Sequence, residues 1–240
     1  MWCGVASSMT SPFRYFKTSP EVIRSAVLMY VRYPLSLRSV EDLLFERGID
    51  VTYETVRQWW NRFGLIFAVE IRRRRAASHR TYIQWRWHLD EVFVRINGET
   101  CFLWRAVDHE GEMLEVFVTK RRDRKAAKAF LKRAMKRYGR PRTIVTDRLR
   151  PYRAGMREIG NASRQDCGRW RNNRAENAHQ PLRRREHAMI RFRRPATLQK
   201  FAAVHAAVHN HFNHDRYLTS RTIFKESRSA ALAEWQQLAA

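Results

Sequence analysis

Trp85 to Ile96 reads WRWHLDEVFVRI, and Asn97-Gly98 and a second apolar run, Thr100 to Val107, follow at once. Asn-Gly is the two-residue turn whose left-handed backbone matches the twist of paired strands, so this stretch predicts an antiparallel hairpin. Strand side chains alternate between faces. His88, Asp90, Val92, Val94 and Ile96 therefore share one face, and Glu91 points the other way with Trp87, Leu89 and Phe93. A carboxylate among β-branched residues is costly to bury unless a metal ion or hydrogen bonds satisfy it. Asp90, not Glu91, is the candidate for chemistry. The plainer alternative is a strand aspartate held by backbone amides.

The chain beyond the hairpin predicts the rest of a mixed sheet. Asp108 to Gly111 makes a longer turn into a third strand, Met113 to Thr119. A helix follows over about Arg124 to Tyr138, with Ala126, Ala127, Phe130, Leu131, Ala134 and Met135 as its buried stripe. Thr143 to Thr146 is a short apolar strand with Asp147 at its C-terminal end. A strand reached through a helix joins its sheet in parallel by a right-handed crossover. Asp147 then falls beside the middle of the first strand, where it and Asp90 can converge; a turn cap is its plainer role. The later segment WRNNRAENAHQPLRRREHAM reads as a helix. There Glu176 shares a face with His179, Gln180, Arg183 and His187, and Pro181 predicts a kink just after Glu176. The ordinary alternative for Glu176 is an ion pair with an arginine one turn away.

Ahead of the sheet lie three helices. Ser19-Pro20-Glu21 opens the first, which Pro34 stops. The second spans about Leu37 to Arg47, with Gly48 as its terminator. Thr52 caps the third, Tyr53 to Phe63, whose core face is Val56, Trp59, Trp60 and Phe63. Helix, short glycine-containing turn, helix is the helix-turn-helix arrangement. The outward face of the third helix carries Tyr53, Glu54, Arg57, Gln58 and Asn61, groups able to reach bases and phosphates. A plain three-helix bundle with a solvated polar face is the alternative. Arg72, Arg73, Arg74 and Arg75 follow, read as a basic linker that could track a phosphate backbone.

Charge separates these alternatives. Lysine and arginine number 47 against 23 aspartate and glutamate, a formal net charge of +24. A globular chain so basic is most simply explained by a polyanionic partner, nucleic acid first. No amphipathic basic helix argues for a membrane surface, and no run of eighteen apolar residues argues for a membrane span. Cys3, Cys101 and Cys167 form no metal or disulfide pattern, which fits a reducing cytosol. The first residues have no secretory pattern, and Met9 is an alternative start. His205 and His209 stand at metal-ligand spacing, but Ala206 occupies the position of a zincin glutamate, so a solvated helix face is the better reading. That last helix is expected from a Thr197 cap to about Asn213.

Asp, Asp and Glu on the first strand, the fourth strand and a later helix resemble the pattern of ribonuclease H-like polynucleotidyl transferases. The stretches WHLDEVFVRINGE, LWRAVDHEGEMLEVFVTKRRDRKAA, IVTDRLRPY, NNRAENAHQPLRRRE and LQKFAAVHAAVHNHFN resemble the DDE transposases of bacterial insertion sequences, of the IS-six family. The resemblance covers about Thr18 to Leu238. It implies an α/β fold: a ribonuclease H-like mixed-sheet catalytic domain preceded by an all-α helix-turn-helix domain. The expected boundaries are a disordered tail over 1–17, the helix-turn-helix over 18–66, the basic linker over 67–80, the catalytic domain over 81–215 and a helical tail over 216–240.

The resemblance further implies that Asp90, Asp147 and Glu176 are the catalytic and metal-binding triad. It implies Mg²⁺ as cofactor, two ions, with Mn²⁺ able to substitute. Arg183, or its neighbour Arg184, would fill the basic position after the glutamate. The partners implied are double-stranded DNA, as terminal inverted repeats and target, and a second copy of the chain, because two DNA ends must be joined; no membrane is involved. The location implied is bacterial cytoplasm, with the nucleoid. Asp147 and Glu176 are closer in sequence than is commonest in such enzymes, which predicts a reduced strand between them. The rival functions are a non-enzymatic helix-turn-helix regulator and a ribonuclease H-like nuclease without strand transfer.

Overall fold

The structure, a computed structural model, describes residues 11–79, 86–147, 149–167, 172–189, 192–213 and 219–239, without the side chains of 76–79, 173–174 and 176–178. The tail up to residue 10, the domain start at Thr81, Trp85, Arg148, Arg191 and His214 lie outside the described residues.

Among the described residues five strands form one mixed sheet in the order β3-β2-β1-β4-β5. β1 (Arg86–Ile96) and β2 (Glu99–Asp108) form the hairpin, in register from Trp87↔Asp108 to Ile96↔Glu99. Asn97 and Gly98 both take positive φ, 52° and 84°, as the turn requires. β3 (Met113–Thr119) pairs antiparallel with β2. α4 (Arg124–Tyr138) carries the chain across to β4 (Thr143–Thr146), which pairs parallel with β1 and ends at Leu89↔Thr146. α5 (Arg150–Glu158) leads to β5 (Gln165–Asp166), parallel to β4. β5 has two residues, the reduced strand that the short Asp147–Glu176 spacing predicts.

Alternation sends the two faces of the sheet to different cores. Trp87, Leu89, Trp104 and Ala106 pack under α4 and α5 against Ala127, Phe130, Leu131, Tyr152 and Met156. Val94, Ile96, Leu103 and Val116 pack on the other side against α7 (Pro195–His211). α7 also satisfies the outer edge of β3. Gln199 accepts from the Val118 amide at 2.8 Å and donates to the Val116 carbonyl at 3.0 Å. Asn210 does the same to both backbone groups of Met113 at 2.9 Å. Two side-chain amides thus occupy an edge that could otherwise pair with another chain.

The three N-terminal helices are α1 (Pro20–Arg32), α2 (Leu37–Phe45) and α3 (Tyr53–His79). They close around Ile23, Val27, Val31, Val40, Val56 and Phe63, and share one continuous core with α7 through the ring contacts of Tyr30, Trp60 and Phe201. α8 (Arg221–Gln236) locks onto the same unit. Buried Trp235 meets Phe67 edge-on and donates to the Arg24 carbonyl, and Arg24 donates to the Leu238 carbonyl at 2.7 Å.

Three expectations need correction. The helix expected to end near Phe63 runs on to His79, so the residues read as a basic linker are helical. Phe67, Ala68 and Ile71 are buried and continue the stripe of Phe63 at helical spacing beneath the arginines. α7 starts at Pro195 after Arg194, not from a Thr197 cap. His205 and His209 do not line a solvated face. His205 is buried against the Phe201 ring, its pKa driven well below the usual range by burial first and His209 next. Burial pushes His209 to about 4.

Candidate active site

The site lies where β4 stops short of β1. Thr146 is the last β4 residue to pair, opposite Leu89, so Asp147 leaves the sheet beside Asp90 and Glu91. Carboxylate oxygens of Asp90, Glu91 and Asp147 all lie within 4.8 Å of one another. Asp90 and Asp147 converge as expected. Glu91 points to the other face as expected, and the correction is that its carboxylate nevertheless joins the cluster. It leaves β1 on the α4–α5 side, as alternation requires, but past the last β4 rung no strand among the described residues lies between its carboxylate and the other two.

Each acid has its own surroundings. Asp147 Oδ1 accepts from the Leu149 amide at 3.1 Å, the turn-capping role foreseen for it, which leaves Oδ2 for other partners. Partial burial raises its pKa; the Leu149 hydrogen bond opposes this and Asp90 adds to it. Glu91 is the most enclosed, with its side chain 2% exposed and ion-paired to Arg122. Burial first, and the two aspartates with it, push its pKa up to about 7 against the pull of Arg122. Arg122 sits on the β3–α4 connection and also comes within 4.0 Å of Asp147 Oδ2. The Tyr152 hydroxyl lies buried against Glu91. Burial and then Glu91 raise its pKa well above the phenol range, yet neither this hydroxyl nor Glu91 Oε2 makes a well-formed hydrogen bond.

α6 (Asn173–Ala188) lies across this cluster, tied to β1 at three levels. Asn172 donates to the Leu89 carbonyl at 2.9 Å, His179 Nε2 meets Asp90 Oδ2 at 2.9 Å, and Arg183 donates to the Phe93 carbonyl at 2.8 Å. Glu176 belongs to the helical turn between Asn172 and His179; its side chain falls outside the described residues. The kink expected at Pro181 does not break the element, which is a single helix with Pro181 inside it. Anchors on either side account for this: His179 on Asp90, and buried Arg185 on the Leu35 carbonyl at 3.0 Å.

The expected DNA-contacting residues divide into free and engaged groups. Arg57, Gln58 and Asn61 are exposed along α3, with Arg57 paired to Glu54 at 2.9 Å and Asn61 accepting from Lys200. Tyr53 is half-buried between the Arg38 and Arg57 guanidiniums. In the arginine run, Arg73 is exposed and Arg74 pairs with Glu70. Arg72 and Arg75 turn inward, an outcome of their i,i+3 spacing on a helix instead of a free linker. Arg72 donates to the Ala68 carbonyl; Arg75 pairs with Glu112 and donates to the Asn210 carbonyl. Arg184 is exposed, whereas Arg183 is engaged with Glu186 and Phe93.

Sequence reasoning missed Glu91, Arg122, His179 and Arg105 as members of this neighbourhood. His179 alone carried a signal, its spacing of three from Glu176 on one helix face. The oxygen-only set of Asp90, Glu91 and Asp147 is of the kind that holds a hard divalent cation.

A mixed sheet with one acid inside β1, another at the end of the parallel strand beside it and a helix laid over β1 is the architecture of a ribonuclease H-like polynucleotidyl transferase, here behind an N-terminal helix-turn-helix. The family profile for the DDE domain of IS240-type transposases matches residues 84–215. The transposase for insertion sequence-like element IS431mec of Staphylococcus aureus is 31% identical over 180 residues, 72% of this chain and 78% of that protein. The transposase for insertion sequence element IS257 in transposon Tn4003, also from Staphylococcus aureus, matches with the same identity and coverage. The chain belongs to the DDE transposases of insertion sequences, in the IS-six family. It is a DNA-binding polynucleotidyl transferase of a family that uses divalent metal ions. Among solved structures, a chain of the simian T-cell lymphotropic virus intasome in complex with the PP2A regulatory subunit B56 gamma superposes with a TM-score of 0.42 at 15% identity, covering 85% of this chain and 69% of that one. The catalytic core domain of BIV integrase gives a TM-score of 0.38 at 17% identity, covering 62% of this chain and 99% of that one. Among the described residues no helix is long and apolar enough to cross a membrane.

Proposed function

We propose that this transposase binds the terminal inverted repeats of its insertion sequence, cleaves the element's ends and joins them to target DNA. Asp90, Asp147 and Glu176 act as the catalytic triad. The observation that carries this reading is the convergence of Asp90 and Asp147 at the open end of β4, with the Glu176 turn of α6 pinned over them on both sides. Asp90, Glu91 and Asp147 lie within 4.8 Å of one another, and their mutual repulsion is a cost that a bound divalent cation would offset.

The three triad carboxylates would hold two Mg²⁺ ions, or Mn²⁺ in their place. Such ions supply a Lewis acid for the attacking and departing oxygens of phosphoryl transfer. In the first reaction a water oxygen bonds to phosphorus at the element's end and the P–O3′ bond breaks, leaving a 3′-hydroxyl. In the second that hydroxyl attacks a target phosphodiester and a target 3′ oxygen departs. The chain's own residues position these steps. Arg122, 40% exposed and beside Asp147, presents a cation to the phosphate approaching the acids. Arg184 and Arg73 extend the electropositive surface. Arg57, Gln58 and Asn61 face outward from α3 for the repeat, with half-buried Tyr53 beside them. Joining two ends calls for at least two copies of the chain on DNA, in the cytoplasm with the nucleoid.

The test is a purified protein incubated with repeat-ended DNA. Mg²⁺ is expected to yield nicks at the repeat boundary and, with added target, joined products; chelation is expected to stop both. Boundary-specific nicks without any joined product would favour a nuclease instead.

A further inference from the structure

Beneath the acid cluster lies a buried arginine that the reaction does not use. Arg105 stands directly opposite Asp90 in the β1–β2 register and on the same face of the sheet, with 1% of its surface exposed. A guanidinium is costly to bury and always donates. Nη2 of Arg105 donates to the Met113 sulfur, Nε has no partner among the described residues, and Nη1 lies 3.2 Å from His179 Nδ1. The other ring nitrogen of His179 lies 2.9 Å from Asp90 Oδ2. Arg105, His179 and Asp90 therefore form a line running from the interior to the cluster.

We propose that His179 is a positioning residue for Asp90. Arg105 fixes its tautomer, so that Nε2–H donates to one carboxylate oxygen and aims the other at the metal site. The proposal rests on Asp90 being a metal ligand. The assignment of protons follows from donor and acceptor capacity alone. Arg105 can only donate, so Nδ1 of His179 must be the bare, accepting nitrogen. The ring proton is then on Nε2, and Asp90 Oδ2 is its acceptor. A histidine protonated on both nitrogens would set Nδ1–H against the arginine.

This line also acts on α6. His179 follows Glu176 by three residues, so the bond that orients Asp90 fixes the helical turn that carries the third acid. One imidazole thereby sets the relation between a strand ligand and a helix ligand. Groups of this kind, hydrogen-bonded to metal ligands, typically cost about 10–100-fold in metal affinity when removed.

The experiment uses the full chain, histidine-labelled with ¹⁵N, and Mn²⁺ binding by calorimetry. His179, assigned by its loss in His179→Gln, is expected to show a bare Nδ1 and a protonated Nε2, in metal-free protein and in Mg²⁺-saturated protein. A ring protonated at Nδ1, or loss of the Nε2 proton on adding Mg²⁺, would overturn the proposal; the second result would make His179 a ligand itself. His179→Ala is expected to weaken Mn²⁺ binding about 10–100-fold. His179→Gln, whose amide nitrogen reaches the place of Nε2, is expected to restore it to within about fivefold, and His179→Asn, which reaches only the place of Nδ1, is not. Equal effects of Gln and Asn would reduce His179 to a packing residue. Repeat binding by each variant checks its fold. Asp90→Asn separates this proposal from the function on which it rests. Wild-type Mn²⁺ affinity in Asp90→Asn removes the metal-site reading itself. Loss there, beside wild-type affinity in His179→Ala, removes only the positioning role.

Discussion

At the scale of single residues, Glu91 is the side chain whose behaviour depends most on its surroundings. It is next to Asp90 in sequence and opposite it in direction, yet its carboxylate joins the same cluster. Its counter-charge is Arg122, which also reaches toward Asp147. Glu91 is better suited to hold Arg122 in place than to bind metal, because one face of its carboxylate is committed to that ion pair. Glu91→Gln keeps the shape and removes the charge, so Arg122 is expected to loosen. Cleavage of repeat-ended DNA should fall about 10–100-fold, the range for groups supporting a metal site. Arg122→Ala should lower cleavage to a similar degree and lower affinity for the uncleaved end only slightly. Complete inactivity of Glu91→Gln, matched by loss of Mn²⁺ binding, would instead make Glu91 a ligand.

At the scale of elements, α3, the proposed reader, is also a strut. Its first turns present Arg57, Gln58 and Asn61, and its last turns pack Arg72 and Arg75 inward onto the sheet domain. Arg57→Ala or Gln58→Ala is therefore expected to weaken binding to terminal repeats more than to random DNA, by about 1–3 kcal/mol if the residue contacts a base. Arg73→Ala should weaken both DNAs alike and reduce the salt dependence by about one counterion. Gel-shift titrations at several salt concentrations measure both effects. Equal losses on the two DNAs for the α3 variants would leave that helix a scaffold.

The elements also show what the sequence makes legible. The hairpin, β3 and α4 follow from local rules: an Asn-Gly turn, apolar runs of strand length and a stripe at helical spacing. The convergence of Asp90 and Asp147 follows from parallel crossover topology. The length of α3 was hidden because four arginines in a row obscure the stripe of Phe67, Ala68 and Ile71 beneath them. The burial of His205 and His209 depends on which face of α7 the N-terminal helices cover, which no local pattern records. The approach of Glu91 to the cluster depends on where β4 stops, a matter of two strands at once.

At the scale of the whole molecule, DNA reading and DNA chemistry are assigned to different parts of one continuous structure. The helix-turn-helix shares a core with α7, and α7 backs the sheet that carries Asp90. Trp235 of α8 closes the same unit from the far end of the chain. Removing charge at the acids is expected to stop chemistry and leave recognition intact. Asp90→Asn tests this most directly, assayed for cleavage and joining of repeat-ended DNA in Mg²⁺ beside a gel shift on the same DNA. Loss of a metal ligand is expected to slow cleavage on the order of a thousandfold or more, with repeat affinity within about twofold of wild type. A folded Asp90→Asn protein that still cuts near the wild-type rate would contradict the assignment of this cluster as the catalytic site.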